Sequence, residues 1–394
     1  MTTNKPLAGI RVLDFGAFIA GPYATELMAM LGAEVVKVEP VRSGEAFRRG
    51  EGTGSPYFVQ ANAGKKSLAV NLKSPEGMDL ITRLLPKFDV VIENARPGVM
   101  ERLGLGADVV RQVNPSIVYA SASGFGDGGP WRDRAAYDTI GLSMSGFLSL
   151  MSDKDGFQLA GTCIGDLTTG LVMALGVVSA LVGRERDPEH EGAVLKTSLL
   201  EAMTTMTVDA VTQMFETGER PHRESRHPAA NSFCLRTSDG SALAVHLSSP
   251  QKFWHAFLKA MENPDFGTDP RFETYADRRA NYFELRPLVE AEFIKHDKAE
   301  WERRLVEADV PFAPVVSVDE LPDNEQMQWL DMFEPERNGQ QLVRAPWRIN
   351  GERPGKPVWA PDIGAHSREV ALEVLAAEDV DTMFAEGTLH ETTS

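Results

Sequence analysis

Short β-branched runs alternate with helix-period patterns through the first 125 residues. IRVLDF (10–15) has the length of a strand and reads as a buried one. AGPYATELMAMLGA follows, with Pro22 suited to a first helical turn and Gly32 to the end of the helix. EVVKVE (34–39) is a second strand, so strand, helix and strand fit within about 30 residues as a right-handed parallel crossover. The pattern then repeats. SLAVNL is a strand, SPEGMDLITRLLPKF a helix with Ser74 as its cap and Pro75 next, and DVVIENA and IVYASASGFG are further strands. Such alternation predicts an α/β domain with a parallel sheet.

Beyond it lie a Gly-Pro-rich loop (GDGGPWRDR), a helix (YDTIGLSMSGFLSLM) and the apolar run LTTGLVMALGVVSALV (167–182). With 16 uncharged residues interrupted by Gly170 and Gly176, that run falls short of the roughly 20 needed to cross a bilayer and reads as a buried core helix. AVLKTSLLEAMTTMTVDAVTQMFE is a strand running into a helix, and the polar stretch ETGERPHRESRHPAAN (216–231) is a natural boundary. SFCLRTSDGSALAVHL predicts a hairpin turning at Asp239-Gly240. Charged amphipathic helices fill the next 60 or so residues, PFAPVVSVDEL returns to strand, and the Pro-rich last 50 or so hold one helix near 367–375. No internal repeat or low-complexity tract is present.

Composition narrows the function. The chain has 394 residues, room for about two domains, and 57 acidic against 40 basic side chains, a formal charge of −17. Such a surface repels phosphate backbones and disfavours nucleic acid as a partner. A polyanionic small molecule would need a locally basic pocket. Cys163 and Cys234 cannot build a disulfide framework or a cysteine metal site, and the eight histidines have no metal-ligand spacing, so no metal is expected. The N-terminus lacks a basic-then-apolar signal pattern, which makes cytoplasm the expected location and no membrane the expected partner.

A parallel sheet raises dinucleotide binding, but the turn after the first strand, DFGAFIAGPYA, has only Gly16 and Gly21, and Pro22 sits where a phosphate would need free N–H groups. P-loop and G-x-S-x-G patterns are absent as well.

PLAGIRVLDFGAFIAGPYATELMAMLGAEVVKVEP strongly resembles the N-terminus of class III CoA-transferases. KKSLAVNLKSPEG, DVVIENARPGVMERLGL, IVYASASGFGDGGP, GDLTTGLVMALG, VPFAPV and APDIGAHSREVALEVL extend the resemblance in the family's order across most of the chain. The resemblance implies a Rossmann-like large domain, 1–224 with a C-terminal return of 321–394, a smaller α+β domain at 225–320, and an interlocked homodimer. It also implies an enzyme that moves CoA from an acyl-CoA donor to a carboxylic acid acceptor, without a metal.

In that family the position of Asp166, in GDLTTG, is the carboxylate nucleophile that forms an anhydride and then a thioester. On local sequence alone, an Asp before an apolar helix is also an ordinary N-cap. A carboxylate of pKa about 3.9 is almost wholly ionised at pH 7, so no tuning is expected. The family also contains α-methylacyl-CoA racemases, whose acid/base pair includes a His in a G-H-D motif. Here Tyr137 of AAYDTIG stands in that place, which favours transfer over racemisation. A member that binds CoA without turnover is the third reading.

By the same resemblance, CoA contacts fall on Ile19 and Ala20 after the first strand, on Val70, Asn71, Leu72 and Lys73, on Asn94, Ala95, Arg96 and Arg102, and on Ala136, Tyr137 and Asp138. Lys73, Arg96 and Arg102 supply the local positive charge. Where some members place an Arg after the second strand's Glu, this chain has Pro40, with Arg42 close by. The glycine-rich loop of formyl-CoA:oxalate transferases has no counterpart between Glu224 and Lys259; a Ser248-Ser249-Pro250 turn is the candidate closure. Arg226 and His227 are candidates to hold an acceptor carboxylate.

Overall fold

In the computed structural model, which describes residues 5–49, 55–248, 251–337, 339–354 and 358–392, the predicted alternation becomes a seven-stranded sheet. The strands are β1 (Arg11–Asp14), β2 (Glu34–Glu39), β3 (Lys66–Val70), β4 (Val90–Glu93), β5 (Val118–Ser123), β6 (Val194–Ser198), β7 (Ser232–Arg236), β8 (Ala242–His246), β9 (Phe312–Pro314) and β10 (Leu389–His390). The large sheet runs β10-β3-β2-β1-β4-β5-β6; β1 to β6 are parallel and β10 is antiparallel to β3. The order 3-2-1-4-5-6 is that of dinucleotide-binding α/β folds, and it puts a topological switch point between β1 and β4.

The period of two explains why both faces are covered. Val12, Val35, Val90 and Val118 are in register and point to one face; Leu13, Val36, Val91 and Tyr119, one residue on, point to the other. Helices α1 (Ala20–Met30), α2 (Pro75–Leu84), α3 (Asp138–Met144), α4 (Ile164–Arg186) and α5 (Leu199–Thr205) follow in chain order. The first face is buried under Ala24, Leu27 and Met28 of α1 with Met173 and Val177 of α4. The second is buried under Leu80, Ile81 and Leu84 of α2 with Val370 and Val380 of the C-terminal segment.

Ser74 caps α2, its Oγ accepting from the Gly77 N–H, with Pro75 in the first turn as the pattern predicts. A Cβ at Gly77 would overlap the carbonyl oxygen of Asn71. Gly77→Ala is therefore expected to cost about 1–3 kcal/mol in urea unfolding, and an unchanged midpoint would show that the 71–77 turn can yield.

Three expectations are corrected here. The apolar helix is 23 residues long, not 16, because charged residues at both ends join it; it is long and apolar enough to span a membrane, yet Met173, Ala174, Val177 and Leu181 are buried in the sheet's core. The run after β6 breaks into two helices, Leu199–Thr205 and Val208–Thr217. The Pro-rich end carries two helices, Ser367–Ala371 and Ala377–Ala385, before β10.

Contacts divide the chain into one unit of Met1–Leu148, Leu159–Val211 and Gln326–Ser394, and a second of Ser149–Gln158 and Thr212–Glu325. The second has an antiparallel sheet, β7-β8-β9, with the expected turn at Asp239-Gly240, where Gly240 has φ +83°. Phe233, Leu235, Leu243 and Val245 face a core of Trp254, Phe257, Phe293 and Trp301, the last two stacked at 4.0 Å.

Candidate active site

At the switch point the turn from β1 into α1 is held by side chains rather than left open. The Gly16 N–H donates to Asp14 Oδ1 (2.7 Å), the Ala17 N–H to Asn94 Oδ1 (2.8 Å) and the Phe18 N–H to Glu45 Oε2 (3.1 Å). Asn94 Nδ2 donates back to the Ala17 carbonyl, and Lys37 Nζ donates to the Gly16 carbonyl. Phe18 takes φ +64°, a conformation bulky residues rarely adopt, and these bonds hold it there. The amides of Gly16, Ala17 and Phe18 are thus already occupied by side-chain acceptors and are not free for a pyrophosphate.

Below the turn lies a buried ion pair. Lys65 Nζ donates to Asp14 Oδ2, the Pro22 carbonyl and Asn62 Oδ1, all at 2.8–2.9 Å. Burial alone would raise Asp14, but Lys65 and Lys37 prevail and hold it below its ordinary range. Burial lowers Lys65 to about 8 against the pull of Asp14, which leaves it charged at neutral pH. Glu26 nearby is pushed up to about 8 by burial, opposed by its bond from Gln60 and by Lys65, so it is mostly neutral.

Above the ends of β1 to β4 lies a cavity of about 960 Å³, at the upper end of ligand-pocket sizes. Val70, Asn71, Leu72, Lys73 and Ala95, all expected at a CoA site, line it. Arg42 and Arg49 line it too, exposed and, like Lys73, in no ion pair among the described residues. Glu39 and Arg48 in the same wall neutralise each other, Arg48 Nη2 lying 2.7 Å from Glu39 Oε1. The basic pocket that the acidic chain required is thus local. Arg49 was missed in the sequence, although the run VRSGEAFRRG directly after β2 was its signal.

The other expected residues are placed around this cavity rather than in its wall. Ile19 and Ala20 are buried at the start of α1, and Asn94 is committed to Ala17. Arg96 and Arg102 are exposed after β4, and Arg102 and Arg132 both approach Gly98. Ala136 packs against Gly124 past the end of β5. Tyr137 meets Phe18 edge-on (5.6 Å between ring centroids), and Phe18 meets Phe47 the same way (5.3 Å). An aromatic row therefore runs from the cavity rim to Asp138.

Asp166 is third in α4. Cys163 holds the N-cap position without a side-chain cap, and the cap comes instead from Asp138, whose Oδ1 accepts from the N–H groups of Gly165 (2.8 Å) and Asp166 (3.1 Å). One turn on, Gly170 lets α4 press on α1: a Cβ there would lie 2.9 Å from the Ala20 carbonyl oxygen. Residues 166 and 170 share a helix face about 6 Å apart along the axis, so Asp166 lies one turn of α4 before its contact with the start of α1. Asp166 is not the ordinary carboxylate expected from sequence. Burial, and then the charge of Asp138, push it up to about 7.

In the smaller unit His227 lines a separate cleft of about 620 Å³ with His246, Arg223 and Arg286, whereas Arg226 does not line it. Ser248 Oγ bonds His246 Nε2; Ser249 and Pro250 lie outside the described residues. No group of three or more metal-binding side chains occurs among the described residues.

Comparison with known proteins gives the family. The sequence model of CoA-transferase family III matches residues 7–367. An acetyl-CoA:oxalate CoA-transferase of Acetobacter aceti is 33% identical over 89% of this chain and 92% of its own. A succinyl-CoA–D-citramalate CoA-transferase of Chloroflexus aurantiacus is 30% identical over 96% of both. The crystal structure of a CaiB/BaiF family protein from Brucella suis superposes with a TM-score of 0.83 at 27% identity, covering 95% of this chain and 100% of that one. These relatives are named for CoA transfer rather than racemisation, and the chain is an enzyme of CoA-transferase family III.

Proposed function

We propose that the enzyme passes CoA from an acyl-CoA to a carboxylic acid through covalent intermediates on Asp166. The Asp166 oxygen attacks the thioester carbonyl carbon, the C–S bond breaks, and CoA leaves as a thiolate. The thiolate then attacks the Asp166 carbonyl carbon, the donor acid leaves as a carboxylate, and an aspartyl thioester remains. The acceptor carboxylate repeats the first attack on that thioester, and the thiolate finally takes the acceptor acyl group and frees Asp166. Charge balances at every step without a net proton.

The observation that carries this reading is a carboxylate with no cationic partner among the described residues, one helical turn from the contact of α4 with the start of α1 and in the unit whose strand ends form the cationic cavity. The CoA nucleotide fits that cavity, with Arg42, Arg49 and Lys73 meeting its phosphates, and the pantetheine arm follows the aromatic row toward Asp166. Acyl-CoA followed by hydroxylamine should convert Asp166 to a hydroxamate, seen as a mass change on its peptide; unmodified peptide after turnover would remove Asp166 from the mechanism. The double variant Arg42→Ala/Arg49→Ala is expected to raise KM for acyl-CoA about 10- to 100-fold with kcat within about threefold. An unchanged KM would place the phosphates elsewhere.

The acceptor is a small carboxylic acid, since relatives are named for oxalate and D-citramalate. A panel of such acids with branched and aromatic ones, read by mass, would name it. The reading includes a homodimer in the cytoplasm. Leu171 and Leu175 of α4, 46% and 69% exposed, line an apolar cleft with Leu31 and Trp347 that a second copy would cover. A monomer in sedimentation would overturn it.

A further inference from the structure

The first-turn N–H groups of a helix have no partner within it, and a cap ordinarily comes from the residue just before. In α4 that residue is Cys163, which makes no capping bond, and the acceptor is Asp138, 28 residues before Asp166. One carboxylate oxygen takes both the Gly165 and the Asp166 N–H. Glycine at 165 permits this, because a Cβ there would sit 3.0 Å from Asp138 Oδ1 and 3.3 Å from the Asp138 carbonyl oxygen. Asp138 is itself the first residue of α3, so the bond ties the start of one helix to the start of the other.

We propose that Asp138 is a positioning residue for the transfer: its carboxylate fixes the first turn of α4, aims Asp166, and holds a negative charge against it. This rests on Asp166 being the acylated group.

Two consequences follow. Both first-turn donors named above are spent on Asp138, so neither stabilises the Asp166 anion. The free carboxylate is therefore raised in energy, while the acylated forms of Asp166, being neutral, feel no repulsion. Asp138 thus favours the covalent states over the resting enzyme.

Other titratable groups on the elements packed against α4 are engaged elsewhere. Glu26 of α1 accepts from Gln60, Glu201 of α5 accepts from Ser198, and Lys196 of β6 pairs with Asp127. Tyr23, beside Gly170, is raised by burial and by Glu26 and stays neutral. Asp138 is the charge that bears on Asp166.

The test separates position from charge. Asp138→Asn keeps an oxygen for the cap and removes the charge; Asp138→Ala removes both; Gly165→Ala keeps the charge and crowds the bond. For single-turnover acylation, wild type should show a rate rising with pH to a plateau about an apparent pKa near 7. Asp138→Asn should move that inflection at least about one unit toward acid and keep the plateau within about tenfold. Asp138→Ala and Gly165→Ala should lower the plateau about 30-fold or more at every pH. Titration of 13C-labelled aspartate carboxyls, with the Asp166 signal assigned by its loss in Asp166→Asn, follows the same shift without turnover. An Asp138→Asn titration that superimposes on wild type, or an Asn variant as slow as the Ala variant, would overturn the proposal. Failure of the hydroxylamine trap with the shift intact would instead remove the covalent reading on which it rests.

Discussion

Asp166→Ala is expected to lower kcat for CoA transfer by at least about 10³-fold while the Kd for CoA stays within about threefold. In the proposed mechanism the side chain supplies the attacking oxygen, and Asp138 is a poor replacement because it is engaged by two backbone N–H groups. Binding survives because the cavity is lined by 38–49, 70–73 and the turns after β1 and β4 rather than by α4. Transfer assayed by mass and CoA binding by calorimetry decide it; activity within tenfold of wild type would exclude the residue. The isosteric Asp166→Asn carries a second expectation, for stability. A carboxyl pushed up to about 7 in the folded chain costs nothing below its unfolded value near 4, and an increasing penalty as pH rises toward 7. Asp166→Asn should therefore match wild type at pH 4 and exceed it by about 2 kcal/mol at pH 8, a figure reduced for partial exposure. A variant less stable than wild type at pH 8 would show that the carboxylate is not strained.

Lys65→Met should be among the most destabilising single changes, at about 3–5 kcal/mol in urea at pH 7.5. It strips three acceptors of their donor at once: Asp14 Oδ2, the Pro22 carbonyl and Asn62 Oδ1. Asp14 is then left fully buried, with Thr25, the Gly16 N–H and the field of Lys37 as its support. In wild type Asp14 is held below its ordinary range, so its contribution is present above about pH 4 and lost in acid. In the variant Asp14 is raised and its penalty appears above that pH. The gap between the two should thus be widest at pH 7.5, narrower at pH 4 where the variant's penalty has gone, and narrower still below pH 4 as the wild-type contribution is lost. Adding Asp14→Asn should restore part of the loss at neutral pH. A full-sized gap at pH 4 would mean that lost packing, not the stranded charge, is the cause. Because Asp14 also anchors the Gly16 N–H, surviving Lys65→Met enzyme should lose kcat as well.

Much of this was legible in the chain itself. Strands β1 to β5, the Pro22 and Ser74-Pro75 helix starts, the Asp239-Gly240 turn and the apolar helix after Asp166 follow from periods of 2.0 and 3.6 and from turn chemistry. These are relations among residues a few positions apart, and backbone geometry enforces them locally. Residue-by-residue resemblance added the family, and with it Asp166 and the 70–73 wall of the cavity.

Other features depended on which distant segments the sheet order brings together. Lys65 meets Asp14 across 51 residues, Asp138 caps α4 across 28, and Asn94 pins Ala17 across 77. None of these pairs has a spacing that a helix or a strand imposes. Each exists because the strand order of the sheet brings together segments that lie far apart in the chain. The sequence by itself therefore determined most of the elements and singled out Asp166 as the candidate carboxylate. The tertiary structure decided its energy, since burial and a like charge are set by neighbours in space and not by neighbours in the chain.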